Sequence, residues 1–300
     1  MKTGWLVNDT LTCIPGTKTI WHDLLENIDG LEDKTFGHTD FYLLADKIIL
    51  EATLKGKPDY IIRNATYFGP IQMPVKTISL LQDVMNYEGQ IYVCNASTVV
   101  VYNTPYTAAL YKYKIFAPSV VIPLGIDFDF FKPTQSYAEE LGILPNSILF
   151  VGENNVYPKG FDKVKNLIDN SNYNFCLVMK NDFVTDHPRV KVFNKVDQET
   201  MLKIYNSCKM LLCASVVETQ HLSGLEAAAC NIPLVVTNVG VYFDLVNGEW
   251  GRKVLDDDFA SNIQFVFDNY DSFKPREFFL QKGYDKLTCI NKWKELVNSL

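Results

Sequence analysis

SVVETQHLSGLEAAACNIPLVVTNVG, residues Ser215 to Gly240, decides how the rest of this chain is read. The apolar runs beside and within it, Met210 to Ala214 and Leu234 to Thr237, are short and aliphatic, as in strands buried on both faces of a parallel sheet. Between them, Leu222 to Cys230 has the pattern of a helix. Glu218 then falls in the loop after a strand, and Glu226, seven residues further on, lies in the opening turns of the helix. A helix start leaves amides without intrahelical acceptors, here those of His221, Leu222 and Ser223, and such a start binds a diphosphate favourably. An acid just inside the helix can accept hydrogen bonds from vicinal hydroxyls, as an acidic residue holds the ribose in other nucleotide folds. On spacing alone the pair also fits a capped amphipathic helix with two solvated acids.

Outward from this stretch the second half keeps one rhythm. Ile148 to Gly152, Phe175 to Met179 and Val190 to Phe193 read as further buried strands, with helices over Phe161 to Ile168 and Gln198 to Cys208. Alternating strands and helices of this kind build a doubly wound, Rossmann-like domain whose ligands bind outside the carboxyl ends of the strands. The first half alternates in the same way. Strands are expected near Thr3 to Asn8, Phe41 to Ala45, Tyr60 to Asn64, Thr77 to Leu81, Ile91 to Cys94 and Val120 to Leu124. A helix should follow Gly16, with Thr17 as its cap and Ile20, Leu24 and Ile28 on one face. The periodicity breaks at Ile122 to Pro133, which is read as the join between two domains, 1–133 and 134–280, followed by a terminal helix in 281–300.

Composition narrows the function. The chain has 300 residues, 47% of them hydrophobic, and a formal charge of -7 with no basic cluster beyond short groups such as Lys112 and Lys114. That gives no electrostatic grip on a nucleic-acid backbone. No run approaches the roughly 18 to 20 apolar residues of a membrane span, and Met1 to Asp9 lacks the features of a signal peptide, so a cytoplasmic protein is expected, with peripheral membrane contact left open. Seven cysteines without a CxxC pair read as buried reduced thiols.

Three segments in order resemble the family 4 retaining glycosyltransferases. Ser215 to Gly240 is similar to the E-x7-E signature written EGFGLPxLEAMACGxPVVxTxxGG. Ile122 to Pro133, IPLGIDFDFFKP, is similar to the linker IPNGVDxxxFxP. Leu149 to Phe161, LFVGENNVYPKGF, resembles the strand and loop that open the donor domain. The resemblance covers about residues 118–256.

It implies an α/β protein of GT-B architecture, two Rossmann-like domains facing a central cleft, with the terminal helix crossing back to the N-terminal domain. It also implies a nucleotide-sugar donor, UDP- or GDP-linked, as substrate and no cofactor or metal. By the same resemblance Glu226 holds the ribose, Glu218 contacts the donor sugar and Lys159 neutralises the diphosphate. Lys159 also makes sense physically, because a fixed ammonium stabilises a leaving diphosphate as charge develops on it.

Departures from the pattern matter as much. Glu153 stands where relatives have arginine, and Thr219 and His221 stand where they have glycine. His221 then either donates to a phosphate or sugar or turns to solvent. Gly16 occupies the place of a glycine loop near the diphosphate and acceptor, and Asp83 that of an acceptor-side acid, although Gln82 replaces the usual histidine before it. Asp127 and Asp129 mimic a metal-binding DxD but lie in the linker, and Asp256 to Asp258 read as a helix cap. The expected activity is a retaining, metal-independent transfer to a sugar, lipid or protein acceptor. A nucleotide-sugar epimerase on the same architecture, or a sugar-nucleotide-binding or structural module without turnover, are the alternatives.

Overall fold

The computed structural model describes residues 2–9, 15–36, 48, 51–65, 73–84, 88–155 and 157–300. It divides into two compact units, Met1–Gly125 with Leu287–Leu300, and Ile126–Lys286.

The first unit is a six-stranded sheet of β1 (Gly4–Asp9), β2 (Leu31–Phe36), β3 (Tyr60–Asn64), β4 (Lys76–Leu81), β5 (Val99–Tyr102) and β6 (Ser119–Val121), ordered β2-β1-β3-β4-β5-β6. All its pairings are parallel. Its helices include α1 (Pro15–Asn27), α2 (Glu88–Asn95) and α3 (Pro105–Tyr111). The face expected for α1 is buried, with Ile20, Leu24 and Ile28 joined by Trp21.

Three expectations change here. Helix α1 begins at Pro15, so Gly16 lies in its first turn rather than in a loop before it, and Thr17 is not the cap. Proline's fixed φ suits the first helical position, which favours the earlier start. Ile91 to Cys94, expected as a strand, is the body of α2. Helical spacing buries Gln90, Val93 and Cys94 together while Tyr92 stays 61% exposed, and the strand forms instead at Val99–Tyr102, all four of whose side chains are buried. The expected strand at Phe41 to Ala45 lies outside the described residues.

The second unit holds β7 (Ile148–Gly152), β8 (Phe175–Met179), β9 (Val190–Asn194), β10 (Met210–Cys213), β11 (Leu234–Val236) and β12 (Gly251–Lys253), ordered β12-β11-β10-β7-β8-β9 and again all parallel. Its helices are α4 (Ala138–Leu141), α5 (Phe161–Asn170), α6 (Gln198–Tyr205), α7 (Leu222–Ala229), α8 (Phe259–Asp268) and α9 (Pro275–Gln281). The helix α10 (Lys286–Ser299) follows, and from Leu287 it counts with the first unit.

Side chains alternate along the strands of the second sheet between two cores. Leu149, Cys176, Val178, Leu211, Cys213, Leu234 and Val236 meet α6, α7 and α9. Ile148, Phe150, Phe175, Leu177, Met210, Leu212 and Val235 meet α5 and α8. With both faces covered the strands need no polar side, which is why they read as continuous apolar runs. Each fully buried aliphatic side chain contributes about 1.5–3 kcal/mol by leaving water. Arg276 locks the start of this unit to its last helices, donating from Nη1 to Phe131 O at 2.9 Å and from Nη2 to Phe128 O at 2.9 Å.

Among the described residues six cysteines are free thiols, all buried. Asp127 is engaged in a turn, its Oδ1 accepting from the amides of Asp129 at 3.0 Å and Phe130 at 2.8 Å. Asp258 caps α8 through Ser261 N.

Candidate functional site

Counted from β7, the second sheet runs 3-2-1-4-5-6, so strand order reverses between β7 and β10. Loops leaving the carboxyl ends of two such strands diverge and open a crevice, the place where ligands bind in this class of sheet. The loop after β7 runs through a short 3-10 turn at Tyr157–Lys159, and the loop after β10 runs through Glu218 to α7.

Backbone contacts stitch the two loops together. Val216 N donates to Pro158 O at 2.9 Å, and Gly160, at φ +67, passes so close to Ala214 that a Cβ there would lie 2.0 Å from the Ala214 carbonyl oxygen. Only glycine meets both demands without strain. This crossing sets Lys159 Nζ 2.7 Å from Glu218 Oε1, and Ser215 Oγ donates to the same oxygen at 3.0 Å.

The electrostatics follow from that enclosure. Burial acts to raise the Glu218 carboxyl, but His221 and Lys159 and the hydrogen bonds from Lys159 and Ser215 outweigh it and hold the group below its usual value. His221 is itself depressed to about 4, by burial above all and by Lys159, against an opposing pull from Glu218. At neutral pH the imidazole is therefore uncharged, and Lys159 is the cation that faces Glu218.

His221 does not turn to solvent. It is 8% exposed, its Nδ1 lies 2.7 Å from the Tyr242 hydroxyl and its Nε2 lies 3.2 Å from Ser223 Oγ. The solvent-facing expectation is thus replaced by a buried, neutral ring whose two nitrogens face Tyr242 and Ser223. The apolar side of that ring explains it: His221 meets Tyr242 edge to face, and Tyr242 stacks on Trp250 with centroids 5.5 Å apart. Gly224 makes room, since a Cβ there would fall 1.9 Å from the Tyr242 hydroxyl and 2.4 Å from His221 Nδ1.

His221 sits at the N-cap of α7 with φ 67 and offers no side-chain cap. Among the described residues no protein acceptor takes the amides of Leu222 and Ser223, while Gly224 N turns back to His221 O at 3.2 Å. Two donors and the positive end of the helix macrodipole are left to an anion.

One helical turn in, Tyr205 at the end of α6 donates its hydroxyl to Glu226 Oε2 at 2.7 Å. Burial pushes the Glu226 carboxyl up and the hydrogen bond from Tyr205 opposes it. The residue still keeps part of its surface accessible.

Glu153 does not carry an unbalanced charge: its Oε1 lies 3.2 Å from Lys180 Nζ at the end of the neighbouring β8. The register explains the meeting, because Gly152 faces Met179 and Lys180 N donates to Gly152 O at 2.9 Å.

Of the residues picked from the sequence, Lys159, Glu218, Glu226, His221, Leu222 and Ser223 gather at this crevice, while Gly16 and Asp83 belong to the first unit. There Asp83 is held by Gln90 Nε2, at 2.8 and 2.9 Å to its two oxygens. Tyr205, Ser215, Lys180 and Tyr242 are new. Tyr205 carried a signal, an aromatic with a polar tip at the end of a helix just before a buried strand. Tyr242 carried none beyond its place after the signature.

Residues 145–269, which include the whole crevice, match the family described as Glycosyl transferases group 1. No curated protein sequence matches the chain. Among solved structures, a sucrose-phosphate synthase from Thermosynechococcus elongatus is similar at a TM-score of 0.82 and 14% identity, over 100% of this chain and 99% of that one. HepE of Anabaena in complex with UDP is similar at 0.81 and 16%, over 100% of both chains, and it is also known in complex with UDP-glucose. The apo lipopolysaccharide outer core galactosyltransferase WaaB is similar at 0.76 and 12%, over 100% of this chain and 99% of its own. At such identities the likeness is one of fold, and the fold is that of GT-B glycosyltransferases. Together with the family match it supports a glycosyltransferase.

Proposed function

We propose that this protein is a retaining glycosyltransferase that takes a sugar from a nucleoside diphosphate sugar, uridine- or guanosine-linked, without a bound metal, and passes it to a sugar, lipid or protein acceptor. The observation that carries this reading is the Lys159–Glu218 pair at 2.7 Å beside the open amides of α7, at the point where the strand order of the second sheet reverses. It joins an anion site to an acid and a movable cation.

The diphosphate sits against the amides of Leu222 and Ser223, and Lys159 leaves Glu218 to meet it. Glu226, oriented by the Tyr205 hydroxyl, accepts from the ribose hydroxyls. Glu218, relieved of its ammonium partner, presents its negative charge to a sugar ring that becomes cationic as the glycosidic bond breaks. The bonding electron pair leaves with the nucleoside diphosphate, where Lys159 stabilises it. The acceptor hydroxyl attacks the same face of the sugar and gives its proton to the departing phosphate oxygen. Helix α7 and Lys159 balance the diphosphate, and Glu153 adds no net repulsion because Lys180 neutralises it. HepE, seen with UDP and UDP-glucose, makes uridine donors the first to try.

The test is a comparison of Glu226→Ala with Glu218→Ala. Glu226→Ala weakens binding of free nucleoside diphosphate in calorimetry, whereas Glu218→Ala leaves that affinity nearly intact and lowers single-turnover transfer or donor hydrolysis. Parent-like binding and turnover in both variants overturn the assignment. A parent protein that binds nucleoside diphosphates but never hydrolyses or transfers from any donor is a binding module instead.

A further inference from the structure

Four large side chains stand out of the first unit at one corner: Tyr92 on α2, 61% exposed, Leu110 on α3, 45%, and Tyr113 and Phe116 in the turn beyond it, 81% and 79%. Water-facing aromatics at such levels are uphill for a surface unless something covers them. The corner is built, since Asn95 at the end of α2 donates from Nδ2 to Lys114 O at 2.9 Å and accepts at Oδ1 from Phe116 N at 2.8 Å. Asn95 and Tyr92 lie three residues apart on one helical face, so the turn carrying Phe116 lies beside Tyr92. Ile115 is buried beneath it as an anchor.

Charge says what covers this corner. From Gly89 to Ile126 the chain contains no Asp or Glu, and its charged residues there are Lys112 and Lys114, both exposed, in a protein whose formal charge is -7. The acid of α2, Glu88, stands at the opposite end of that helix. Lys112 Nζ lies 5.4 Å from the Tyr113 ring centroid, so the cation and an aromatic project together. Lysines interleaved with tyrosine and phenylalanine match the headgroup boundary of an anionic bilayer, where amphipathic rings settle and ammonium groups meet lipid phosphates. Helix α2 ends, and the turn after α3 lies, at the amino ends of β5 and β6, away from the carboxyl ends where ligands of such sheets bind. Among the described residues no helix is long and apolar enough to cross a membrane.

We propose that the Tyr92, Leu110, Tyr113 and Phe116 corner, with Lys112 and Lys114, docks this protein peripherally on an anionic lipid surface. It stands independently of the donor-site reading. The experiment is co-sedimentation of the full chain with vesicles of phosphatidylcholine alone and with vesicles of phosphatidylcholine and phosphatidylglycerol in equal parts, at low and high salt. Binding is expected to the mixed vesicles only and to fall with salt. The pair Lys112→Gln with Lys114→Gln should lower partitioning about thirtyfold, and Tyr113→Ser with Phe116→Ser should abolish it, with melting temperature and nucleoside diphosphate binding unchanged. No sedimentation with mixed vesicles at low salt overturns the proposal, as does binding that the four substitutions leave unaltered. A dimer in sedimentation velocity that Phe116→Ser dissolves would show instead that a second copy covers the corner, and would also overturn it.

Discussion

At the carboxyl ends of the second sheet an ammonium and a carboxylate face each other at 2.7 Å beside an open helix start, whereas the first sheet ends in two buried asparagines, the buried Arg63 and the amide-held Asp83. Asn64 closes β3 and Asn103 follows β5, both buried, each with a side-chain Nδ2 that has no protein partner among the described residues. Thr107 Oγ donates to Asn103 Oδ1 at 2.8 Å, and Gln90 holds Asp83 nearby in sequence. Both backbones follow the same parallel rule, so the rule supplies a place for a ligand and no more. Side chains then set what each place suits, and under the proposed function the second unit's pair suits a ligand that gains anionic charge. The difference teaches that the acid and cation of the proposed donor site both come from the second unit.

Breaking that asymmetry should be most costly at its cation. Lys159→Ala should lower single-turnover transfer about a hundredfold to a thousandfold, the loss seen for one electrostatic donor. It should also move the acidic limb of the pH profile upward, because burial raises Glu218 once its ammonium partner is gone. Transfer at parent rate would place charge stabilisation elsewhere.

The second unit should also lose stability in acid. His221 titrates near 4 in the folded protein against 6.5 for the free side chain, so the unfolded chain binds the extra proton first. Its contribution is complete above pH 6.5 and is lost as pH falls toward 4, by about 3 kcal/mol. Glu218, held low, adds a loss in the same direction below the usual carboxylate range, and Glu226, held high, opposes it. Denaturant melts of the parent and of His221→Gln across this range check the sign: the variant's slope should be shallower.

A smaller effect separates crowding from conformation. Gly160→Ala should destabilise by about 2 kcal/mol or more, because the new methyl meets the Ala214 carbonyl oxygen at 2.0 Å. Gly56→Ala in the first unit, at φ +95 with nothing within 4 Å, should cost only about 1 kcal/mol of backbone strain. Equal losses in thermal melts would mean the stitched loops can relax. The smallest expected effect is that of a chelator. Transfer should survive EDTA, and activity abolished by EDTA and restored by manganese would overturn the metal-free reading of the diphosphate site.

Central strands such as Ile148–Gly152 and Phe175–Met179 were legible because burial on both faces leaves a continuous apolar run. The central Val99–Tyr102 was not told apart from the neighbouring apolar Ile91 to Cys94, which is helical. The edges were not legible. β2, Leu31–Phe36, carries Glu32, Asp33 and Lys34, and β12 is the three residues Gly251–Lys253. Edge strands stay short and charged because their open hydrogen-bonding side would otherwise recruit another chain, which erases the hydrophobic signal.

Sequence by itself determined most strands of the two parallel sheets and the helix that opens after Glu218, because periodicity and residue type are local properties, while Lys159, Glu218 and Glu226 were picked out only through the resemblance of their motifs. Tertiary structure alone decided that Lys159 takes Glu218 as its partner, that His221 turns inward to Tyr242, and that Glu153 is balanced by Lys180. These are contacts across 59, 21 and 27 positions of the chain, set by strand register and by how closely two loops can pass at Gly160. No residue announces its distant partner before the backbone has brought the two together.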